Sequence, residues 1–245
     1  MPGLRRKASP SKSMVINRLT GLDGARQARG VVVVIDVLRA FTVSAYALAG
    51  GARECLLVST TAEARALHEK IRGSLICAEE GALPVPGIAI SNSPTQISAA
   101  DLKDRVLIQR SSAGTTVMSA VESADELYAA SLVVARATAG ACLSKQPEAV
   151  TLLASADHPE DHACAIYIEG LLRGEEPDVD SLLQPLRDSA RYARAKSGTW
   201  PGFPPTDLAL ALAPDRFDFA MPATRHGNYL RLTSRSVRES GLARE

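Results

Sequence analysis

Five consecutive β-branched residues stand at positions 31–35, Val-Val-Val-Val-Ile, with no polar position among them. A strand that is apolar on both faces has to be covered on both, which is typical of parallel sheets flanked by helices. After Asp36 the apolar positions follow a helical period from Ala40 to Leu48, and two glycines at 50–51 end this pattern. The segment therefore predicts a buried strand followed by a helix, the repeating unit of an α/β fold.

The same alternation of short apolar runs and helical stripes continues along the chain. Strand-like runs occur at 55–58, 75–78, 106–109, 127–130 and 149–153. Helical patterns follow Thr60, which with Glu63 predicts a capping box, and recur at 159–172, 180–196 and 206–213. The segment 217–232 is typical of irregular structure or short strands. We therefore predict an α/β fold with a mostly parallel, helix-covered sheet in three layers and in one lobe or two.

The domain organisation follows from the two ends of this pattern. The first 13 residues carry four basic side chains but lack the apolar stretch of a signal peptide, so we predict a flexible N-terminal tail at 1–13. Residues 14–245 are predicted to form a single α/β domain. The Gly/Pro-rich segment 79–94 is a candidate lobe boundary and a long ordered loop, and such loops are often functional.

Charge and cysteine usage restrict the class of protein. Lys and Arg number 28 against 27 for Asp and Glu, so the chain lacks the basic excess that duplex binding needs. No uncharged apolar run approaches the roughly 18 residues of a membrane span. The four cysteines are scattered and form no C-x-x-C pair, which predicts buried, reduced thiols in a reducing cytosol. We expect a soluble cytoplasmic protein with no nucleic-acid or membrane partner, and a homodimer is compatible with the sequence.

Ligands of open parallel sheets bind at the carboxyl ends of the strands, and the first polar turn of this kind holds Asp36 and Arg39. A carboxylate there can bind Mg²⁺ or attack phosphorus, and an arginine can hold phosphate oxygens with its forked donors. The structural alternative is that Asp36 only caps the following helix. Both interpretations stay open at this point, as does the choice between metal ligand and nucleophile.

The second polar turn connects the strand at 106–109 to a helix and includes Arg110, Ser111, Ser112, Gly114 and Thr115. Backbone N–H groups, hydroxyls and one arginine at a helix start are how many proteins bind phosphate. The segment has neither the lysine nor the spacing of a Walker loop. It predicts a generic anion-binding turn, and the alternative is a tight turn whose hydroxyls cap the helix.

The third polar turn follows the strand at 149–153 and contains Glu160 and Asp161 in the first turn of a helix. These carboxylates are candidate Mg²⁺ ligands, although acidic residues are favourable at a helix start in any case. Asp157 with Glu160 also predicts a capping box. His158 and His162 are four residues apart, as in a zinc-binding helix, but Pro159 occupies the place of the glutamate of the metalloprotease pattern.

The Gly/Pro-rich loop completes the inventory of polar sites. Glu79 follows the strand at 75–78 and is a further candidate metal ligand, and Asn92 with Ser93 can contact phosphate or start a helix. Phosphatases with an aspartate nucleophile carry a second aspartate two residues after the first. That position is Leu38 here, so their signature is absent.

Taken in order, four segments resemble the 2-phosphosulfolactate phosphatase family, known from coenzyme M biosynthesis and found in many bacteria. The matching segments are 33–40 (VVIDVLRA), Gly87 with 91–94 (SNSP), 110–115 (RSSAGT), and Glu160-Asp161 leading to Cys164-Ala165. Their order and spacing agree over about residues 30–222. The resemblance implies an α/β fold, Mg²⁺ dependence and a small phosphate ester as substrate.

Two positions depart from the family pattern. Where the family loop reads Gly-Glu-Arg and later Gly-Phe-Asp, this chain has Ala78-Glu79-Glu80 and Gly87-Ile88-Ala89. A basic side chain has become Glu80 and an acidic one has become Ala89. If this loop covers the non-phosphate end of the substrate, Glu80 should repel a second anionic group there and favour a neutral or cationic ester.

These observations lead to a hypothesis of Mg²⁺-dependent hydrolysis of a small phosphomonoester, 2-phosphosulfolactate or a related anionic ester. Asp36, Arg39 and Arg110 are the predicted catalytic residues, and Asp36, Glu79, Glu160 and Asp161 the predicted metal ligands. The predicted substrate-binding residues are Asn92, Ser93, Ser111, Ser112, Gly114 and Thr115. The alternatives are a non-catalytic anion-binding protein of the same fold and a zinc hydrolase that uses His158 and His162.

Overall fold

The computed structural model describes residues 14–236, so the tail predicted at 1–13 lies outside the described residues. The strands are β1 (Val15–Thr20), β2 (Val31–Ile35), β3 (Glu54–Val58), β4 (Leu75–Glu80), β5 (Leu83–Pro84), β6 (Val106–Arg110), β7 (Glu126–Ala130), β8 (Ala149–Ala154), β9 (Phe219–His226), β10 (Tyr229–Leu232) and β11 (Arg235–Ser236).

Helices occupy most of the connections between these strands. They are α1 (Gly21–Gln27), α2 (Ala40–Ala49), α3 (Thr61–Lys70), α4 (Pro94–Ser98), α5 (Gly114–Ser119), α6 (Ala135–Leu143), α7 (Pro159–Leu172), α8 (Val179–Leu182), α9 (Gln184–Arg187), α10 (Ala190–Lys196) and α11 (Thr206–Ala211). Between positions 14 and 236, none of the helices combines the length and the apolar character that crossing a bilayer requires.

The strands form one mixed sheet made of two parallel blocks. Its order is β1-β8-β2-β7-β9-β10-β3-β6-β4-β5, and β11 pairs with β9. Neighbours within the block β1-β8-β2-β7 run parallel, as do those within β3-β6-β4. The antiparallel hairpin of β9 and β10 joins the two blocks. The predicted α/β fold with a mostly parallel, helix-covered sheet is confirmed.

The side chains of β2 enter two hydrophobic cores. Val32 and Val34 pack on one face with residues of α2, whereas Val31, Val33 and Ile35 pack on the other with residues of α6 and α7. All five are buried, as the unbroken apolar run predicts. Full burial of a side chain of this size contributes about 1.5–3 kcal/mol, so a charged residue on either face of β2 would be strongly destabilising.

Helix α2 lies between the two parallel blocks and is buried from Ala40 to Leu48. It contacts both β3 and β7, one strand from each block. Gln109 of β6 is fully buried and bridges to this helix, because its Nε2 donates to Ala40 O (2.7 Å) and its Oε1 accepts from Ser44 Oγ (2.6 Å). The carboxyl end of β6 is thereby fixed beside the first turn of α2, directly after β2.

The predicted helix at 180–196 is wrong as a single element, because the segment forms the three short helices α8, α9 and α10. Pro185 lacks the N–H that a helix interior needs and stands in the first turn of α9. Ser189 then caps α10 by accepting from the Tyr192 N–H at 3.1 Å. The helix predicted at 159–172 is confirmed at those bounds, and so is the capping box of Thr60 and Glu63.

The strand β1 was not expected from the sequence, whereas β9 and β10 lie in a segment for which short strands were one of the two predictions. The segment 217–232 contains the regular strands β9 and β10, joined by a two-residue turn in which Gly227 has φ = +59°. β1 was not predicted because its residues are mostly polar or exposed, yet it pairs in parallel with β8 at the sheet edge. The four cysteines are free and buried, as predicted.

Candidate active site

Asp36 stands directly after β2 and is 5 % exposed. Its Oδ1 accepts from the Ala40 N–H at 2.9 Å, so the residue bonds to the first turn of α2, as the structural alternative predicts. Its Oδ2 accepts from the hydroxyl of Ser155 at 3.2 Å, and Ser155 occupies the equivalent place after β8. Asp36 therefore accepts a hydrogen bond from the first residue of α2 and also belongs to a buried polar cluster.

The same Ser155 hydroxyl also lies 3.2 Å from Asp161 Oδ2, although a hydroxyl has one proton to donate at a time. Asp161 Oδ1 accepts from the Val37 N–H at 2.8 Å. Burial raises the pKa of Asp36, with the charge of Glu79 adding to the effect and hydrogen bonds from Ala40 and Ser155 opposing it. Burial and then the charge of Asp36 raise the pKa of Asp161 well above its ordinary value. The charge of Asp36 thus disfavours ionisation of Asp161, and burial disfavours ionisation of both carboxyl groups.

Glu160 is buried beside them and is only half satisfied. Its Oε1 accepts from Arg191 Nε at 2.8 Å, whereas its buried Oε2 has no hydrogen-bond partner in the described part of the chain. The predicted capping box of Asp157 and Glu160 is wrong, because the Asp157 carboxylate pairs instead with His162 Nε2 at 2.7 Å. Because Glu160 makes no capping bond, its carboxylate is available inside the site.

The residues of the zinc alternative do not assemble into a ligand set. His162 is paired with Asp157 on the surface, and His158 precedes α7 without capping it. Among residues 14–236, no group of three or more His, Cys, Asp and Glu side chains is arranged to hold a metal ion directly. Zinc sites normally take three or four such protein ligands. The geometry therefore gives no support to a zinc hydrolase.

The turn from β6 to α5 is held by a reciprocal pair of hydroxyl bonds. Ser111 Oγ accepts from the Thr115 N–H at 3.0 Å, and Thr115 Oγ1 accepts from the Ser111 N–H at 2.9 Å. Gly114 lies against Asp36 so closely that a Cβ there would be 2.6 Å from Asp36 Oδ2. The predicted phosphate-binding turn and the predicted catalytic carboxylate therefore meet in space.

Glu79 ties this turn to the end of β4. Its carboxylate accepts from the N–H of Ser112, from the Ser112 hydroxyl (3.1 Å) and from the Ala82 N–H (2.6 Å). Arg110 Nη1 donates to the backbone oxygen of Glu79 and to Ser112 Oγ. One of the N–H groups predicted to bind phosphate is thus already paired with a carboxylate.

Arg39, Asn92 and Ser93 are held by internal bonds. Arg39 Nη1 donates to Asp207 Oδ2 (2.7 Å) and to the Gly202 backbone oxygen (2.6 Å). Ser93 Oγ donates to the other Asp207 oxygen at 2.7 Å. Asn92 Oδ1 accepts from the Nε2 of the buried Gln109 at 3.2 Å. Arg39 and Ser93 therefore connect the edge of the sheet to the segment that ends in α11, whereas Asn92 is tied to β6.

Sequence reasoning assigned no role to three residues of this site. Ser155 follows its strand as directly as Asp36 does, so the same positional rule would have found it. Arg191 and Asp207 come from α10 and α11, far along the chain from the groups that they bind. Only tertiary contact connects them to the site, and no local spacing indicates it.

The two departures from the family pattern lie apart from the carboxylate cluster, by which we mean Asp36, Glu160 and Asp161. Glu80 is exposed and accepts from Thr61 Oγ1 at 2.5 Å, whereas its neighbour Glu79 is buried toward the site. This difference follows from the alternation of side chains along a strand. Ala89 lines a separate surface cavity of about 400 Å³ beside α3, together with Arg65 and His68.

Four buried side-chain atoms lack a hydrogen-bond partner within residues 14–236: Ser91 Oγ, Arg110 Nε, Ser131 Oγ and Glu160 Oε2. Arg110 ends β6, Ser131 follows β7, and Glu160 opens the helix after β8. Ser91 follows Ile90, which bridges to β4. Since buried polar atoms are nearly always paired, their concentration at the carboxyl ends of strands indicates where a ligand would bind.

Comparison with known proteins identifies the family of the chain. A family model described as 2-phosphosulpholactate phosphatase matches residues 19–197. A protein of Bacillus subtilis named "Probable 2-phosphosulfolactate phosphatase" is 35% identical over 58% of this chain and 64% of its own length. Proteins of the same name from Carboxydothermus hydrogenoformans and Deinococcus radiodurans are 40% and 32% identical over 58% of this chain. The match spans 60% of the length of each of these two relatives.

Proposed function

We propose that this chain, which belongs to the 2-phosphosulpholactate phosphatase family, hydrolyses a small phosphomonoester at the carboxyl edge of its sheet. The observation that carries the proposal is the approach of Gly114 to Asp36, in which a Cβ would lie 2.6 Å from Asp36 Oδ2. This approach joins a turn suited to phosphate with a buried cluster of carboxylates. Phosphoryl transfer needs both, because its catalysis rests on positioning and on stabilising charge.

The phosphoryl oxygens would bind to Arg110 and to the turn that follows it. The N–H groups of Ala113 and Gly114 donate to no other group in the described part of the chain, and the Nε of Arg110 is buried and unpaired. Charge-assisted bonds from a guanidinium to phosphate are among the strongest hydrogen bonds in proteins. Ser111 and Thr115 would act through the backbone, because their hydroxyls fix the shape of the turn.

Mg²⁺ would bind to one or two of the carboxylates of Asp36, Glu160 and Asp161, with Glu79 as a further candidate. The donor set fits a hard cation, since the pKa values of Asp36 and Asp161 are both raised and Glu160 Oε2 is unpaired. Mg²⁺ usually takes one or two protein carboxylates and keeps several waters, so it does not need a closed set of three ligands. Bound Mg²⁺ would offset the charge that develops on the phosphoryl group and orient the attacking water.

Asp36 acts as a metal ligand in this proposal rather than as the nucleophile. Both of its oxygens already accept hydrogen bonds, from the Ala40 N–H and from the Ser155 hydroxyl. These contacts hold the carboxylate in one orientation, which suits a ligand. Ser155 would keep its place between Asp36 and Asp161 and donate to one of them.

We propose that the substrate is 2-phosphosulfolactate or a related anionic ester, and that the protein acts in the cytoplasm. Two arginines support this substrate, since Arg110 and Arg191 bond to groups at this edge of the sheet, whereas Arg39 is already paired with the buried Asp207. The departures at Glu80 and Ala89 do not weigh against it, because neither residue contacts the carboxylate cluster.

A panel of phosphate esters tests the proposal. The purified protein should release inorganic phosphate from at least one small ester when Mg²⁺ is present, and a chelator should abolish the release. Full turnover in chelator, with no tightly bound metal by elemental analysis, would contradict the metal assignment. Saturable phosphate binding without turnover of any ester would instead support the anion-binding alternative.

A further inference from the structure

The stacked rings of two aromatic residues lie between Arg39 and Arg191, two of the arginines at the site. Trp200 and Phe203 stack with centroids 5.1 Å apart, and the Arg39 guanidinium lies 4.2 Å from the centre of the Phe203 ring. Arg194 and Arg191, both from α10, lie 4.5 Å and 5.3 Å from the centre of the Trp200 ring. We call residues 190–203 the arginine-aromatic strap. It carries Arg191 to the carboxyl edge of the sheet.

The strap fixes Arg191 at two points. Its Nε donates to Glu160 Oε1 at 2.8 Å, and its Nη2 donates to the backbone oxygen of Leu38 at 3.0 Å. The Leu38 oxygen belongs to the turn between Asp36 and α2, so Arg191 bridges the loops after β2 and β8. A guanidinium has five N–H donors in a rigid plane, and these bonds use two of them.

The remaining donors of Arg191 are accessible. Its side chain is 25% exposed, whereas that of its partner Glu160 is 1% exposed. Nη1 donates to no group within residues 14–236. Arg39, by contrast, is 4% exposed and is paired with Asp207. Arg191 is therefore the arginine of this edge that combines a fixed position at the carboxylate cluster with donors open to a ligand.

We propose that Arg191 is a specificity-determining residue, whose outer guanidinium edge binds a second acidic group of the substrate, a carboxylate or a sulfonate. This inference rests on the proposed phosphatase function. The phosphoryl group would bind to the turn after β6, on the side of Asp36 where Gly114 lies, and Arg191 stands on the side of Glu160. A planar fork fixed at Nε and Nη2 is suited to a flat or tetrahedral anion.

Paired substrates test this assignment. Phosphoglycolate and ethyl phosphate share a two-carbon ester, and only the first carries a carboxylate. In wild-type protein the ratio of kcat/KM for phosphoglycolate to that for ethyl phosphate should exceed one. Arg191→Lys should lower this ratio by about ten-fold, because lysine retains a charge for Glu160 but cannot form the fork. Arg191→Ala removes the partner of a buried carboxylate and can unfold the protein, so the lysine variant decides.

Arg194 provides the matched control. It lies on the same helix and over the same ring, but it is exposed and makes no bond to Glu160. Arg194→Lys should leave the substrate ratio within about two-fold of wild type. An equal fall of the ratio in both lysine variants would overturn the assignment, since it would show a general effect of replacing any arginine of the strap.

A binding measurement separates this inference from the phosphatase function itself. Trp200 is the only tryptophan of the chain, so intrinsic fluorescence reports on the strap. Sulfoacetate, a small dianion without phosphate, should change the emission saturably, with an affinity about ten-fold weaker in Arg191→Lys and unaltered in Arg194→Lys. An equal affinity in Arg191→Lys would overturn the role of Arg191. No turnover of any ester by wild type would instead overturn the proposed function, whatever the fluorescence shows.

Discussion

Gly114 can carry nothing larger than a hydrogen atom beside Asp36, because a Cβ would lie 2.6 Å from the Asp36 Oδ2 and 2.9 Å from the Cβ of Ala40. Neither neighbour can yield easily, since Asp36 is hydrogen-bonded on both oxygens and Ala40 is fully buried. The distance between the two proposed halves of the site therefore depends on the absence of one methyl group.

Gly114→Ala should lower kcat/KM for any phosphomonoester by about 100-fold, because a displacement of about 1 Å costs that much in well-positioned catalysis. The measurement is steady-state phosphate release with Mg²⁺. Ser119→Ala, at the other end of the same helix, should behave as wild type. Near-normal activity of Gly114→Ala would show that the turn and Asp36 do not act together.

Asp36→Asn should lower kcat by at least about 100-fold while the protein stays folded, because the change removes the charge that a metal needs. Asparagine accepts hydrogen bonds at a helix start about as well as aspartate does, so the bond to Ala40 should persist. Turnover and the thermal melting curve should be compared in one buffer. If the variant keeps wild-type turnover, the role of Asp36 is only to accept a hydrogen bond from the first turn of α2.

Asp161→Asn should stabilise the metal-free protein at neutral pH. Burial and the charge of Asp36 raise the pKa of Asp161 in the folded state, so the folded state binds more protons than the unfolded state. Its contribution to stability is therefore complete below the unfolded pKa of about 4 and is lost as the pH rises through the raised folded pKa. Asparagine cannot ionise and should remove this loss.

The measurement for Asp161→Asn is thermal unfolding in chelator from pH 4 to pH 8. The melting temperature of the variant should exceed that of wild type increasingly with pH, by about 2–4 °C for each kcal/mol of repulsion relieved. Added Mg²⁺ should reverse the order of the two melting temperatures, because it binds more tightly to the protein that retains the Asp161 carboxylate. A constant difference across the pH range would show that Asp161 does not titrate with folding.

Glu80→Arg should leave the preference between acidic and neutral esters within about two-fold of wild type. Glu80 is exposed and bonded to Thr61, so screening by water reduces its effect on a substrate at the carboxylate cluster. The same phosphoglycolate and ethyl phosphate pair provides the measurement. A large shift toward the acidic ester would restore the hypothesis that this loop selects substrate by charge.

The parallel sheet could be predicted because burial on two faces leaves a direct trace in the sequence, as at 31–35. The positions of Asp36, Glu160 and Asp161 followed from the same rule, since each comes soon after a strand end. The hairpin at 219–232 could not be identified this way, because it gains its stability from pairing with strands of both blocks. β1 was missed because its residues are mostly polar or exposed, so it lacks the apolar run of a buried strand.

The partners of the site residues were beyond sequence reasoning. Arg39 stands three residues after Asp36, which suggested a shared pocket, but Asp207 and Phe203 hold its guanidinium from a segment more than 160 residues away. Arg110 directly precedes the turn in the sequence, yet its bond to the Glu79 backbone depends on the pairing of β4 with β6. Long-range pairing therefore decides which donors remain free.

The carboxylate of Glu79 has a consequence for how anions enter the site. It occupies the N–H and the hydroxyl of Ser112, so the chain carries its own competing ligand in the turn. A tethered group of this kind competes at an effective concentration in the millimolar range or above. Chloride or sulfate at lower concentrations would have to displace it unaided. An anion that arrives with a divalent cation brings Glu79 a new partner at the same moment. The Glu79 carboxylate can then leave Ser112 for the cation and remain paired throughout.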